Sequence, residues 1–251
     1  MAKHYTYRPD AALILTNCSP PRQNSRLARN GRSHQLESKI GKQIMLKIYH
    51  APRTRGFRVI WLCEELDIPY EINPVDFSPA YRATPEWRKI SPVGKLPVMT
   101  DGALTMYESG AMVQYVLDKY GDNRLQPARG TAEHATYLQW SWFAEATFAR
   151  PLGEIVNHKR MFAKNPSQEI IDEMKDRARQ CAQAVANAVD GKTWILGDEF
   201  SAADIMMGYT LRLYGLLMGE PLPDSAESYW ARLSARDAFK SGQAADMNTG
   251  K

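Results

Sequence analysis

The pattern of apolar residues changes near Thr131, and that change limits the chain to a fold with two unlike halves. Before it, short strand-like runs alternate with helical ones. Met45-Leu46-Lys47-Ile48-Tyr49 is apolar and rich in strand formers, and Val59, Leu62, Cys63 and Leu66 then fall at i, i+3, i+4 and i+7, the spacing of an amphipathic helix. Tyr70 to Val75 reads as a second strand, at a sheet edge because Pro74 has no N–H for a ladder. Val98-Met99-Thr100, an Asp101-Gly102 turn and Leu104-Thr105-Met106-Tyr107 form a hairpin signal. Met112, Val113, Val116, Leu117 and Tyr120 keep helical spacing from Ser109 to Tyr120, and Gly121 supplies the stop. Residues 45–121 therefore predict β-α-β, an irregular link, then β-β-α.

That order is thioredoxin-like, a small mixed sheet with helices. After Thr131 only helical periodicities remain, so the expected fold is an α/β thioredoxin-like N-terminal domain (45–122) followed by an all-α C-terminal domain (130–251). Asn165-Pro166-Ser167-Gln168 predicts a helix start with Asn165 as N-cap, and Ile171, Met174, Ala178, Cys181 and Val185 mark its buried face. In Phe200-Ser201-Ala202-Ala203-Asp204-Ile205, Ser201 is the expected N-cap and Asp204 its capping-box partner, with Phe200 stapling to Ile205. This pair is read as structural.

Composition narrows the function classes. The formal net charge is +4, yet residues 1–44 hold eight Lys or Arg against two acids, which leaves the rest of the chain slightly acidic. No basic stripe with interleaved aromatics argues for nucleic acid, and no apolar run is long enough to cross a bilayer. The three cysteines, at 18, 63 and 181, form no C-x-x-C and have no nearby histidine pair, so a reduced, cytoplasmic setting and no metal site are expected. Residues 1–44 are polar and broken by Pro20-Pro21, and disorder is expected there. Their Arg- and Ser-rich, acid-poor composition is shared with transit peptides, but they lack an apolar helix face, and Met45 is a candidate initiator.

Chemistry concentrates where loops meet helix starts. Arg53-Thr54-Arg55 precedes the first helix, whose unpaired amides and dipole favour an anion. Lys95-Leu96-Pro97 opens a strand with a proline suited to the cis form, which would leave the preceding backbone unpaired for a ligand. Glu108-Ser109 is a second helix start with a hydroxyl. Tyr137, Trp140, Phe143 and Phe148 are the expected cleft wall from the helical half. A peptide-like ligand would lie across all four. Tyr49 is a second candidate hydroxyl, Cys63 reads as core, and His50 has no evident partner.

The segments MLKIYHAPRTRGFRVIWLCEELDIPYE, SPVGKLPVMTDGALTMYESGAMVQYVLDKYG and WILGDEFSAADIMMGYTL together resemble a cytosolic glutathione transferase of the bacterial kind related to the theta and beta classes. The resemblance runs from Met45 to about Phe239. It implies glutathione as co-substrate, a helical domain lining the pocket of a small hydrophobic electrophile, and a homodimer. It puts the activating hydroxyl on Thr54, where related enzymes more often have serine, with Tyr49 as runner-up. Leu96, with Pro97 behind it, resembles the residue whose backbone pairs with the cysteinyl part of glutathione. Glu108 and Ser109 resemble the pair that binds the γ-glutamyl end, and Lys95 a position that reaches the glycyl carboxylate. Arg53 and Arg55 complete the expected glutathione contacts. The alternatives are a non-enzymatic binding or assembly module and a glutathione-dependent disulfide or peroxide reductase. Asp237 stands where the family more often has proline.

Overall fold

A computed structural model describes residues 46–248, so the expectations for residues 1–44 and for Met45 lie outside the described residues. Strand β1 (Leu46–His50) leads through a tight loop into α1 (Phe57–Leu66), and β2 (Tyr70–Pro74) follows. β3 (Val98–Asp101) and β4 (Leu104–Tyr107) form the hairpin, and α4 (Ser109–Tyr120) closes the unit at Gly121. The sheet order is β2-β1-β3-β4. β1 runs parallel to β2, with Ile48 opposite Ile72, and antiparallel to β3, with Ile48 opposite Met99. The proline-bearing strand is at the edge, as expected.

The link between β2 and β3 is more regular than expected. It holds two short helices, α2 (Pro79–Arg82) and α3 (Pro85–Ile90). Ser78 and Thr84 cap them, their side chains accepting from the N–H groups of Tyr81 and Trp87, and each is followed by proline at the first helical position. The Ser-Pro and Thr-Pro pairs carried that signal in plain sequence.

The second half is helical, with α5 (Ala132–Trp142), a wide π-type turn (Phe143–Phe148), α6 (Ala149–Met161), α7 (Gln168–Val189), α8 (Ala202–Met218), α9 (Asp224–Ala235) and α10 (Asp237–Met247). The N-cap of α7 is Ser167, whose side chain accepts from the Ile170 N–H, and not Asn165. Pro166 therefore precedes the helix. Met174 is half-buried, while Ile171, Ala178, Cys181 and Val185 are buried as expected.

α1 is buried almost all round, not on one face, because α4, α8 and α10 all pack against it. Trp61 is its anchor. The indole is fully buried among Phe57, Phe200 and Phe239. A Cβ at Gly208 would meet the Trp61 ring at 2.7 Å, so α8 approaches this closely only because residue 208 has no side chain. Phe200 accordingly packs on Trp61 and Trp194. Asp204, fully buried at the start of α8, accepts from the Ser201 N–H at 2.8 Å and hydroxyl at 3.0 Å, the Ile195 N–H at 2.9 Å and the Tyr229 hydroxyl at 2.7 Å. Burial still pushes its carboxyl above the usual value, with the four donors opposing.

Candidate active site

The β1–α1 loop sets the first wall. Thr54 is half-buried and its hydroxyl lies 2.8 Å from the Ala51 carbonyl, to which it donates, and 3.1 Å from His50 Nδ1. His50 is fully buried and its Nε2 donates to Asp246 Oδ1 at 2.7 Å. Asp246, on α10, also accepts from the Arg53 N–H and from Arg212, each at 3.0 Å. Burial works against ionisation of this carboxyl, but the His50 hydrogen bond and the Arg212 charge outweigh it and hold Asp246 below its ordinary value. The Tyr209 hydroxyl donates to the Arg53 carbonyl at 3.3 Å, so both sides of this left-handed residue (φ 64°) are fixed.

Thr54 opens on a cleft of about 460 Å³ lined also by Arg53, Arg55, Lys95, Leu96 and Tyr209. An adjoining cleft of about 500 Å³ shares Arg55, Lys95 and Leu96 and extends to Pro97, Glu108 and Ser109. Three of the four expected walls thus meet. The Leu96–Pro97 peptide is cis. Leu96 makes no backbone hydrogen bond among the described residues, which leaves its N–H and C=O available to an extended peptide. Glu108 sits at φ 74°, ψ 103°, a region that side chains rarely adopt, and so turns the chain sharply into α4. Of the first α4 amides, those of Ser109, Gly110 and Ala111 have no partner within the helix.

A buried arginine connects the two helix starts. Arg58 Nη1 donates to Ser109 Oγ at 3.1 Å and to Glu145, and Nη2 donates to Thr210 Oγ1 at 3.1 Å. Arg55 Nε donates to both oxygens of the same Glu145, at 2.8 and 3.0 Å. Burial opposes the Glu145 charge, but Arg58 and Arg55 hold its carboxyl below the ordinary value. Burial likewise draws the Arg58 guanidinium down, against the pull of Glu145. Arg55 therefore spends its charge on Glu145 at the border of the two clefts, while the Arg53 side chain is exposed along the Thr54 cleft.

The fourth expected wall lines neither of these two clefts, though Tyr137 lines a neighbouring groove with Glu108 and Glu145. Tyr137 and Phe148 are fully buried core residues, Trp140 and Phe143 pack against that core, and none of the four lines either cleft. The wide turn at Phe143–Phe148 instead presents Glu145 and Ala146 to the second cleft. Gly153, Val156, Asn157 and Arg160 of α6 and Leu213 and Leu217 of α8 line the Thr54 cleft from the helical side. Tyr49 points away from it, half-buried against Trp87. Cys63 is core, and burial raises its thiol to about 12. Sequence reasoning missed Arg58, Glu145 and Asp246. Arg58 had a signal, as the lone charge in the run Phe57 to Cys63; Asp246, 196 residues from His50, had none.

A thioredoxin-like sheet joined to a helical half, with a hydroxyl and two helix starts bordering two adjoining clefts, defines the class of fold. Residues 49–124 match the family model described as the glutathione S-transferase N-terminal domain. The chain is similar to glutathione S-transferase 3 of Schizosaccharomyces pombe, 28% identical over 66% of this chain and 73% of that protein. It is also similar to the disulfide-bond oxidoreductase YfcG of Escherichia coli, 26% identical over 64% of this chain and 76% of that one. A solved glutathione transferase from Burkholderia graminis, with two glutathione molecules bound per subunit, superposes with a TM-score of 0.72 at 27% identity, covering 79% of this chain and 87% of that one. Residues 49–124 thus carry a glutathione S-transferase N-terminal domain.

Proposed function

We propose that this protein is a glutathione transferase in which Thr54 holds the bound thiol as a thiolate for attack on a small electrophile. The reading rests on one observation, that the Thr54 hydroxyl shares a cleft with the unpaired Leu96 backbone while Glu108 and Ser109 border the adjoining cleft. Glutathione would pair its cysteinyl backbone with Leu96, place its γ-glutamyl carboxylate at Ser109 and the first α4 amides, and direct its glycyl carboxylate toward Lys95. Ser109 Oγ accepts from Arg58, so its own hydrogen is free for that carboxylate.

The energetics are sufficient. Lowering a thiol pKa by about two units needs roughly 2.7 kcal/mol of preference for the thiolate. A hydrogen bond to a charged group supplies about 1.5–3 kcal/mol and a helix N-terminus roughly 0.3–1 more. The thiol proton leaves to solvent, the sulfur pair forms a bond to the electrophilic carbon, and the leaving group departs with its electron pair. Thr54 forms no covalent bond. Val156, Leu213, Leu217 and Phe77 give the second-substrate side of the cleft an apolar surface.

A second reading, glutathione-linked disulfide reduction, draws support from Arg53, Arg82 and Arg160 along the same cleft, cations suited to a second glutathione moiety. Two of the similar proteins, the disulfide-bond oxidoreductase and the structure with two bound glutathiones, point the same way. Threonine cannot enter a mixed disulfide, so the attacking sulfur would be glutathione's own. Assembly as a homodimer is part of the proposal, with exposed Trp142 beside an apolar groove between α4 and α5 as its support.

The test compares Thr54→Ala and Thr54→Ser in conjugation of an activated aryl halide and in reduction of a small symmetrical disulfide. Loss of one donor to the thiolate should lower kcat/KM for the favoured reaction by about 10²–10³-fold in Thr54→Ala, with serine restoring most of it. Equal rates in wild type and Thr54→Ala would contradict the role of Thr54.

A further inference from the structure

The Thr54 hydroxyl carries one hydrogen and has two neighbours that compete over it. The Ala51 carbonyl, at 2.8 Å, can only accept. His50 Nδ1, at 3.1 Å, accepts when bare and donates when it carries a hydrogen. On the far side of the ring, Nε2 faces the Asp246 carboxylate at 2.7 Å, and a carboxylate accepts, so that nitrogen carries a hydrogen. With a bare Nδ1, both neighbours of Thr54 are acceptors, and each draws the hydroxyl hydrogen away from the cleft. With a hydrogen on Nδ1, the imidazole donates to Thr54 Oγ1, and the hydroxyl hydrogen is left with one protein acceptor, the neutral Ala51 carbonyl, against which a charged thiolate in the cleft competes.

We propose that His50, clamped by Asp246 of the C-terminal helix, is a positioning residue that donates to Thr54 and aims its hydroxyl at the bound thiolate. The proposal rests on the reading of Thr54 as the activating group. The pair is built for this task in three respects. His50 and Asp246 are both fully buried, and Asp246 is held in place by Arg212 from α8 and the Arg53 N–H. The ring takes the space a Cβ at Gly56 would need, with Nδ1 2.3 Å from that position, so glycine there is what lets the imidazole reach Thr54. The charged groups facing the His50–Asp246 pair are then few, Asp246 itself and Arg212 beyond it, with Thr54, the Ala51 carbonyl and Gly56 as the neutral neighbours. With hydrogen on both nitrogens the ring spans the Asp246 carboxylate and Thr54 Oγ1, the two groups that its nitrogens face.

The consequence is that α10 belongs to the site. Its residue Asp246 reaches across 196 positions of sequence to a strand end, and it fixes both the imidazole and the Arg53 amide of the loop that carries Thr54.

The experiment is an ultraviolet pH titration of the thiol of bound glutathione in wild type, Asp246→Asn, Thr54→Ala and the double variant, with the affinity for S-methylglutathione measured beside it. Asp246→Asn is expected to raise the bound thiol pKa by about one unit while the affinity for the methylated peptide changes little, and the double variant should show no shift beyond that of Thr54→Ala alone. If Thr54→Ala raises the thiol pKa and Asp246→Asn does not, the positioning role is overturned and the activating role of Thr54 stands. If Thr54→Ala leaves it unmoved, the reading of Thr54 fails and takes the relay with it. Should Asp246→Asn not fold, the wild-type complex decides: nitrogen-15 NMR of the His50 ring with glutathione bound should show hydrogen on both nitrogens, and a bare Nδ1 overturns the proposal.

Discussion

Arg58 Nη1 lies 3.1 Å from Ser109 Oγ, so one buried guanidinium joins the helix that follows Thr54 to the helix that opens at Ser109. The thiol and the γ-glutamyl end of a bound glutathione would meet those two helix starts, and Arg58 fixes their spacing. Replacing it with methionine, of similar length, leaves Glu145 with Arg55 alone. We expect Arg58→Met to lose about 3 kcal/mol of stability, as when one partner of a buried pair is removed, and to bind glutathione more weakly. Urea unfolding of Arg58→Met against the Arg58→Met, Glu145→Gln double variant checks the cause, because the second change should recover part of the loss.

Asp246 and Glu145 are both held below their ordinary values, which fixes the sign of a pH effect. A carboxyl depressed in the folded state contributes stability that is fully present above its unfolded value, about 3.9 for Asp and 4.3 for Glu, and that is lost as pH falls through the folded value. Denaturation midpoints measured from neutral pH downward should therefore hold steady to about pH 5 and then decline. Asp246→Asn should be less stable at neutral pH and show a shallower decline. An equally steep decline would assign the effect elsewhere.

Gly208 and Trp61 set the distance between α8 and α1. A methyl at position 208 would stand 2.7 Å from the indole, with the ring pinned by Phe57, Phe200 and Phe239. Overpacking of this kind costs about 1–3 kcal/mol, so Gly208→Ala should lower Tm by about 2–4 °C for each kcal/mol lost. An unchanged Tm would mean that the helices can part here without cost.

Asp204 satisfies four donors, and removing it strands them in the core. Asp204→Ala should cost at least about 2 kcal/mol, more than Ser201→Ala, for which the loss of a cap predicts about 0.5–2 kcal/mol. Thermal unfolding of the two variants gives the order directly, and the reverse order would place the weight of the motif on Ser201.

The fold was legible wherever local pattern decides it. The α4 limits, the edge position of β2, the Asp101-Gly102 hairpin and the Ser201–Asp204 start of α8 all follow from turn residues and periodicity within a few positions. What failed was set by long-range packing. The apolar spacing of α1 describes one buried face, and only the docking of α8 and α10 buries the rest. Tyr137, Trp140, Phe143 and Phe148 have the composition of a pocket wall, but they pack in or against the core. Thr54, Leu96, Glu108 and Ser109 are near the clefts because short loops put them at strand and helix ends. The relay behind Thr54 joins positions 50 and 246, and no local pattern connects them.

The most direct measurement is the ultraviolet titration of the thiol of glutathione bound to the wild-type protein, against free glutathione. Thr54 aimed from behind by His50 predicts a bound thiol pKa lowered by a unit or more, with the lowering largely lost in Thr54→Ala. Tight binding with an unshifted thiol would contradict thiol activation and leave the cleft a place where glutathione is held without being made reactive.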